Sequence, residues 1–174
     1  MGHGLFPKAW FSYPSRLQSL LGSDYEVHNY GQAGATVSRP SADQYSKGLK
    51  FEESISRDHE YFIFMLGTND SKDFSDDFFG EYQTLIEKYN VSSEDKVILC
   101  TPPTAFSDGW GIDKGLVSTS IYVKIVELAE EKGYKLLDVN HIMNTAIFFQ
   151  DDGIHFNDDG ANHLANLLKK TLFD

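Results

Sequence analysis

Two rhythms of apolar residues alternate along this chain, helical spacing in some segments and short continuous runs in others. Residues 15–21 follow Pro14 with helical spacing, and Gly22 closes them off. Residues 25–30 read as a strand that leads to a loop at Gly34. Residues 37–51 are polar and irregular, with a helical turn around 42–47. The run Tyr61-Phe62-Ile63-Phe64-Met65-Leu66 is the most apolar of the chain, as in a central parallel strand covered on both faces. Phe74, Phe78, Tyr82, Leu85, Ile86 and Tyr89 then keep a helical period, an aromatic stripe that predicts core packing. Residues 96–101 form the next strand, stopped by Pro102-Pro103, and 101–115 form a long loop. Ile121, Ile125, Leu128 and Ala129 mark one face of a helix ended by Gly133. Residues 134–139 are the last strand. Asp158 or Asp159 caps a final helix with Ala161, Leu164, Ala165, Leu168 and Leu172 on its inner face. Strand and helix in alternation predict an α/β fold, a parallel sheet between two helical layers, in one domain spanning 1–174.

Composition narrows the functional classes. At 41% hydrophobic and 14% aromatic residues the chain has the material for a full core and does not read as disordered. A net charge of −11 argues against nucleic acid or an anionic membrane as partner, because phosphate binding needs a basic surface. The single cysteine, Cys100, excludes an internal disulfide and a cysteine-based zinc site, and its place at the end of an apolar run predicts a buried thiol. The six histidines show no short ligand spacing, so no metal or cofactor is expected. No apolar run approaches the length of a membrane span. Compartment and oligomeric state are left open.

Three stretches carry candidate chemistry. Asp151-Asp152-Gly153-Ile154-His155 puts a carboxylate three residues ahead of a histidine, with a glycine between them. A tight turn there aims Asp152 at one ring nitrogen of His155 and leaves the other for a general base's work. The plainer reading is a turn whose histidine caps the next helix. The stretches ending at Gly34 and at Leu66-Gly67-Thr68-Asn69-Asp70 put small residues just past predicted strands. Open parallel sheets keep their sites at that edge. The Gly34 N–H and the Asn69 amide are possible oxyanion donors there. In the 101–115 loop, Phe106 and Trp110 either wall a substrate pocket or, for Trp110, pack the loop down.

In this order the three stretches resemble the SGNH hydrolases, the GDSL-type esterases and lipases. There the second block ends in an oxyanion glycine, the third reads Gly-x-Asn-Asp and the fifth reads Asp-x-x-His. The resemblance implies a flavodoxin-like three-layer sandwich with strand order 2-1-3-4-5, and ester hydrolysis through an acyl-enzyme. A serine would attack, His155 would take its proton, Asp152 would orient His155, and Gly34 and Asn69 would hold the oxyanion. The family's first block, Gly-Asp-Ser, is absent from this sequence. Met1-Gly2 fits the residues that follow that block in relatives, and Tyr13-Pro14 fits the start of the family's first helix. The expectation is therefore a chain that starts after its nucleophile, lacks the first strand and is inactive as it stands. Ser12, Ser15, Ser38 and Ser71 lie near the motifs, but none has a Gly-Asp-Ser context. The wording from Met65 to Lys72, with Thr-Pro-Pro after the fourth strand, is most similar to carbohydrate acetylesterases. That implies a small acyl ester, an acetylated carbohydrate, as substrate. Two other readings stay open: a pseudoenzyme module that binds carbohydrate or ester ligands, and a flavodoxin- or receiver-like regulatory domain with Asp70 or Asp73 as its acidic site.

Overall fold

The computed structural model describes residues 12–38 and 43–174; the opening Met1-Gly2-His3-Gly4 and Ala42 lie outside them. In chain order the principal elements are α1 (Tyr13–Leu21), α2 (Leu49–Ile55), β1 (Phe62–Phe64), α3 (Phe78–Glu87) and β2 (Val97–Cys100). After them come α4 (Lys114–Leu116), α5 (Tyr122–Lys132), β3 (Lys135–Leu137), α6 (Val139–Ile142) and α7 (Asp158–Phe173). A π-helical turn, Val117–Ile121, joins α4 to α5.

The three strands form one parallel sheet in the order β1-β2-β3, with Ile63 opposite Ile98 and Leu99 opposite Leu136. The period of two divides their side chains between two cores. Phe62, Phe64, Val97 and Leu99 face α3 and α5, packing with Phe78, Tyr82, Ile125 and Leu128. Ile98, Cys100 and Leu137 face α1 and α7, packing with Leu17, Leu164, Leu168 and Leu172. This is the expected parallel sheet between two helical layers. Cys100 is fully buried, and burial pushes its thiol up to about 12. No helix among the described residues is long and apolar enough to cross a membrane.

Three expectations need correction. Residues 25–30 form no strand and join no ladder among the described residues. Together with β1 they line a cavity of about 430 Å³. Side chains serve their backbone instead: Gln18 accepts from Val27 N–H and donates to Tyr25 O, and the Tyr45 hydroxyl donates to Tyr30 O. Second, a helix, Leu49–Ile55, begins inside the segment 37–51 that was expected to be irregular. This helix buries only Phe51 and Ser54 while Leu49 is 81% exposed, so its apolar period is too weak to read. Third, the cap of α7 is Asn157, whose extended backbone lets its Oδ1 accept from Gly160 N–H at 2.9 Å; Asp158 and Asp159 sit in the first turn.

Candidate active site

The Asp152–His155 turn closes on itself. Gly153 adopts φ of 68°, a conformation that lets the chain reverse between the acid and the base. Asp152 Oδ1 accepts the N–H groups of Ile154 and His155, each at 2.9 Å, and Oδ2 lies 2.6 Å from His155 Nδ1. An ionised carboxylate only accepts, so Nδ1 carries the proton and Nε2 presents its lone pair. No hydrogen bond occupies Nε2 among the described residues, and the His155 side chain is 45% exposed. Burial pushes the Asp152 carboxyl up. The N–H groups of His155 and Ile154 and the His155 ring outweigh it and hold the group below its ordinary value. Its contribution to stability is thus present above 3.8 and is lost as pH falls through the depressed value.

The loop after β2 clamps this turn. Phe106 N–H donates to Gly153 O at 2.8 Å, and Ser107 Oγ donates to Asp152 O at 2.6 Å. The same loop reaches the turn after β1, where Asp113 N–H donates to Ser71 Oγ at 3.0 Å. In a parallel sheet the ends of β1 and β2 lie on one edge, so the Asn69 turn and the His155 turn are bridged along that edge.

Asn69 opens a short 3-10 turn, Asn69–Lys72, two residues past Gly67. Its side-chain amide makes no hydrogen bond among the described residues and is free to donate outward. Gly34 sits in a left-handed turn at φ of 76°, and its N–H is likewise unoccupied among the described residues. Asp70 joins the two donors' loops: its Oδ1 accepts from the N–H groups of Val37 and Ser38 at 2.9 and 3.0 Å and from Ser38 Oγ at 3.1 Å. Asp70 is fully buried, and its Oδ2 has no partner among the described residues. This use of Asp70 as an internal tie leaves it unavailable as the open acidic site of a receiver-like domain.

Burial raises the Asp70 carboxyl despite those donors. The folded state therefore binds its proton more tightly than the unfolded state does, and stability falls as pH rises from 3.8 through the raised value. Asp70→Asn keeps an acceptor at Oδ1 and removes the ionisation. Melting temperature scanned from acid to neutral pH is expected to decline less for Asp70→Asn than for the parent. Parallel curves would show that Asp70 does not titrate differently in the fold.

Asp152 and His155 are thus brought into contact, and the loops of Gly34 and Asn69 are tied together. Phe106 packs edge-on against Phe149 at 5.1 Å beneath the turn, so much of its ring supports the site. Trp110 is 61% exposed and lines neither the cavity between residues 25–32 and 61–66 nor the one beside Ser38 and Glu81. It has φ of 61°, the one non-glycine positive φ among the described residues. No group of three metal-ligating side chains occurs among the described residues. Sequence reasoning missed Ser107, Ser71 and the tie made by Asp70; of these only Asp70 carried a signal, as the last residue of Gly-Thr-Asn-Asp. It also missed a second Asp-x-x-His, Asp138 and His141, with Nδ1 and Oδ2 2.9 Å apart. There the acid caps α6 and is further taken up by Thr101 and Tyr122.

Comparison with known proteins matches residues 2–162 to the GDSL-like Lipase/Acylhydrolase family. An acetylxylan esterase from Xylanibacter ruminicola is 26% identical over 190 residues, covering 96% of this chain and 40% of its own length. The chain thus spans less than half the length of that curated relative. Among solved structures, an inhibitor-bound aryl esterase from M. smegmatis superposes with TM-score 0.73 at 20% identity, covering 98% of this chain and 91% of the other. An acetyl xylan esterase from Geobacillus stearothermophilus gives 0.71 at 19%, covering 93% and 81%. These likenesses establish the fold.

Proposed function

From its membership in the GDSL-like lipase/acylhydrolase family, we infer that this chain carries the acid, base and oxyanion donors of a serine esterase for small acyl esters, acetylated carbohydrates above all. The observation that carries the reading is the Asp152–His155 pair, with Nε2 free, on the edge where Asn69 and Gly34 keep unoccupied donors. In the reaction a serine hydroxyl attacks the ester carbonyl while His155 Nε2 takes its proton. Asp152 holds the ring and stabilises the imidazolium. Asn69 and the Gly34 N–H receive the negative charge that develops on the carbonyl oxygen. Each such donor is worth roughly 3–4 kcal/mol at the transition state. His155 then returns the proton to the leaving alcohol, and a second round with water frees the acid.

No Gly-Asp-Ser occurs in this sequence, and among the described residues the serines near the motifs are engaged elsewhere. Ser38 donates to Asp70, Ser71 to Thr68 O and Ser107 to Asp152 O, so these hydroxyls are committed elsewhere. The chain as it stands is expected to hydrolyse p-nitrophenyl acetate no faster than its His155→Ala variant. Activity that depends on His155 would mean that another residue serves as nucleophile. The acetylated-carbohydrate reading rests on the Xylanibacter relative and on the motif wording. It predicts that an acetylated xylo-oligosaccharide, and not its deacetylated form, shifts the NMR signals of His155 and the Asn69 side chain. A module that binds carbohydrate without hydrolysing it is favoured by the same engagement of Ser38, Ser71 and Ser107, and it predicts shifts with both forms.

A further inference from the structure

A lysine at the edge of the site has no acidic partner, and the tryptophan beside it holds a backbone conformation that side chains avoid. We propose that Lys72 and Trp110 together form a subsite for an acidic sugar, a uronic acid residue next to the acetylated one. The proposal rests on the reading of this chain as an esterase of acetylated carbohydrates.

Lys72 ends the Asn69–Lys72 turn. Gly111 makes room for it: a Cβ at that position would stand 4.0 Å from Lys72 Cγ, so the lysine stem runs against bare backbone next to Trp110. No carboxylate pairs with the Lys72 ammonium among the described residues. The charged groups around it are engaged otherwise. Asp108 pairs with Lys114 at 3.3 Å, and Asp113 caps α4 by accepting from Leu116 N–H at 2.9 Å. Asp73, next in the chain, lines the cavity it shares with Ser38 and Glu81. In a chain of net charge −11, an ammonium without a carboxylate is the group that draws an anion to this edge. A single ammonium, with no guanidinium fork beside it among the described residues, suits a monoanion. The acidic surface opposes sulfated or phosphorylated polyanions.

The loop that carries Trp110 is fastened at two feet. Ser107 Oγ donates to Asp152 O and accepts from Gly109 N–H at 3.3 Å, which holds the first foot on the Asp152–His155 turn. At the second foot Asp113 N–H donates to Ser71 Oγ, on the Asn69 turn. Trp110 lies midway between them, on the span from the base to the oxyanion donor. Holding a bulky residue at φ of 61° costs free energy, and such costs concentrate at ligand sites. The indole gains no burial in return and makes no ring contact among the described residues. What it offers is a flat, electron-rich face, which the C–H face of a pyranose complements. A uronate meets both demands, a ring for Trp110 and a carboxylate at its rim for Lys72.

The test titrates the whole chain with two acetylated xylo-oligosaccharides of equal length, one with a glucuronic acid branch and one uncharged, read by calorimetry and NMR. The charged ligand is expected to bind about fivefold more tightly. That advantage should shrink as salt rises to roughly 0.5 M, vanish in Lys72→Met and return in Lys72→Arg. Trp110→Gly, which suits the positive φ and should keep the fold, is expected to weaken both ligands about tenfold. A preference that survives Lys72→Met, equal affinity for the two ligands, or tighter binding of a sulfated xylo-oligosaccharide overturns the proposal. So does unchanged affinity in Trp110→Gly, or failure of both ligands to bind. The esterase reading is judged apart, by the NMR signals of His155 and Asn69. Shifts there with both ligands and no effect of Lys72 defeat the subsite alone. A uronate preference that depends on Lys72, without shifts at His155, keeps the subsite and defeats the esterase reading.

Discussion

Joining a strand that ends in Gly-Asp-Ser ahead of Met1 is expected to create an esterase, with turnover of p-nitrophenyl acetate on the order of 10⁴-fold above the same chain carrying His155→Ala. The carboxyl end of a parallel strand between residues 25–30 and β1 emerges between the Gly34 loop and the Asn69 turn. A serine there meets two donors that hold no other partner among the described residues, on the edge where His155 Nε2 is likewise unoccupied. The strand and the hydroxyl act by separate routes. Burying its apolar side chains on both faces contributes about 1.5–3 kcal/mol each, and that gain belongs to the strand. Proton transfer to His155 belongs to the hydroxyl. Replacing the added serine by alanine is therefore expected to abolish turnover and to keep most of the rise in melting temperature. A chain that gains stability and stays inactive would defeat the assignment of His155 as general base.

Much of this was legible from periodicity, because burial imposes a simple rule on sequence. Residues 61–66 lie between two helical layers and are apolar throughout; α7 lies on one layer and shows one apolar face. The helix at 49–55 escaped the same rule because one turn of contact leaves too few buried positions to set a period. Residues 25–30 read as a strand from the local pattern ahead of the Gly34 turn, but a ladder also needs a partner, which a local pattern does not report. The site divides the same way. The Asp152–His155 pairing was readable because acid, glycine and base lie within one turn. Asp138 and His141 share the spacing, so spacing by itself does not identify a general base. The two differ in what else the acid holds: Asp138 is shared among a helix cap, a threonine and a tyrosine, whereas Asp152 takes only its own turn. Ser107 and Ser71, which bridge the loops, left no trace in the sequence, since each bond joins residues tens of positions apart.

Gly67→Ala is expected to destabilise the fold by roughly 2–5 kcal/mol, two costs adding at one atom. The backbone there has φ of 117°, which side chains other than glycine's rarely tolerate. A Cβ built on it would also stand 2.8 Å from Ile121 Cγ2 and 3.4 Å from Ile125 Cδ1. Ile121 is fully buried and ends the π-helical turn, so it has little room to withdraw. For a chain of this length each kcal/mol moves the melting temperature by about 2–4 °C, so a fall of roughly 10 °C is the expected reading. Ile121→Ala separates the two costs. It removes the atom that would collide and is itself destabilising through the cavity it leaves. In the Gly67→Ala background it should cost at least about 1 kcal/mol less than in the parent, while the backbone strain persists in the double variant. Additive losses would place the whole effect in the backbone. The consequence reaches the site because Asp70 N–H donates to Gly67 O at 3.1 Å, so a shifted Gly67 carries the Asn69 turn with it. In the serine-bearing chain, Gly67→Ala should then lower turnover even below the melting temperature, because an oxyanion donor displaced by about 1 Å can cost on the order of 10²-fold.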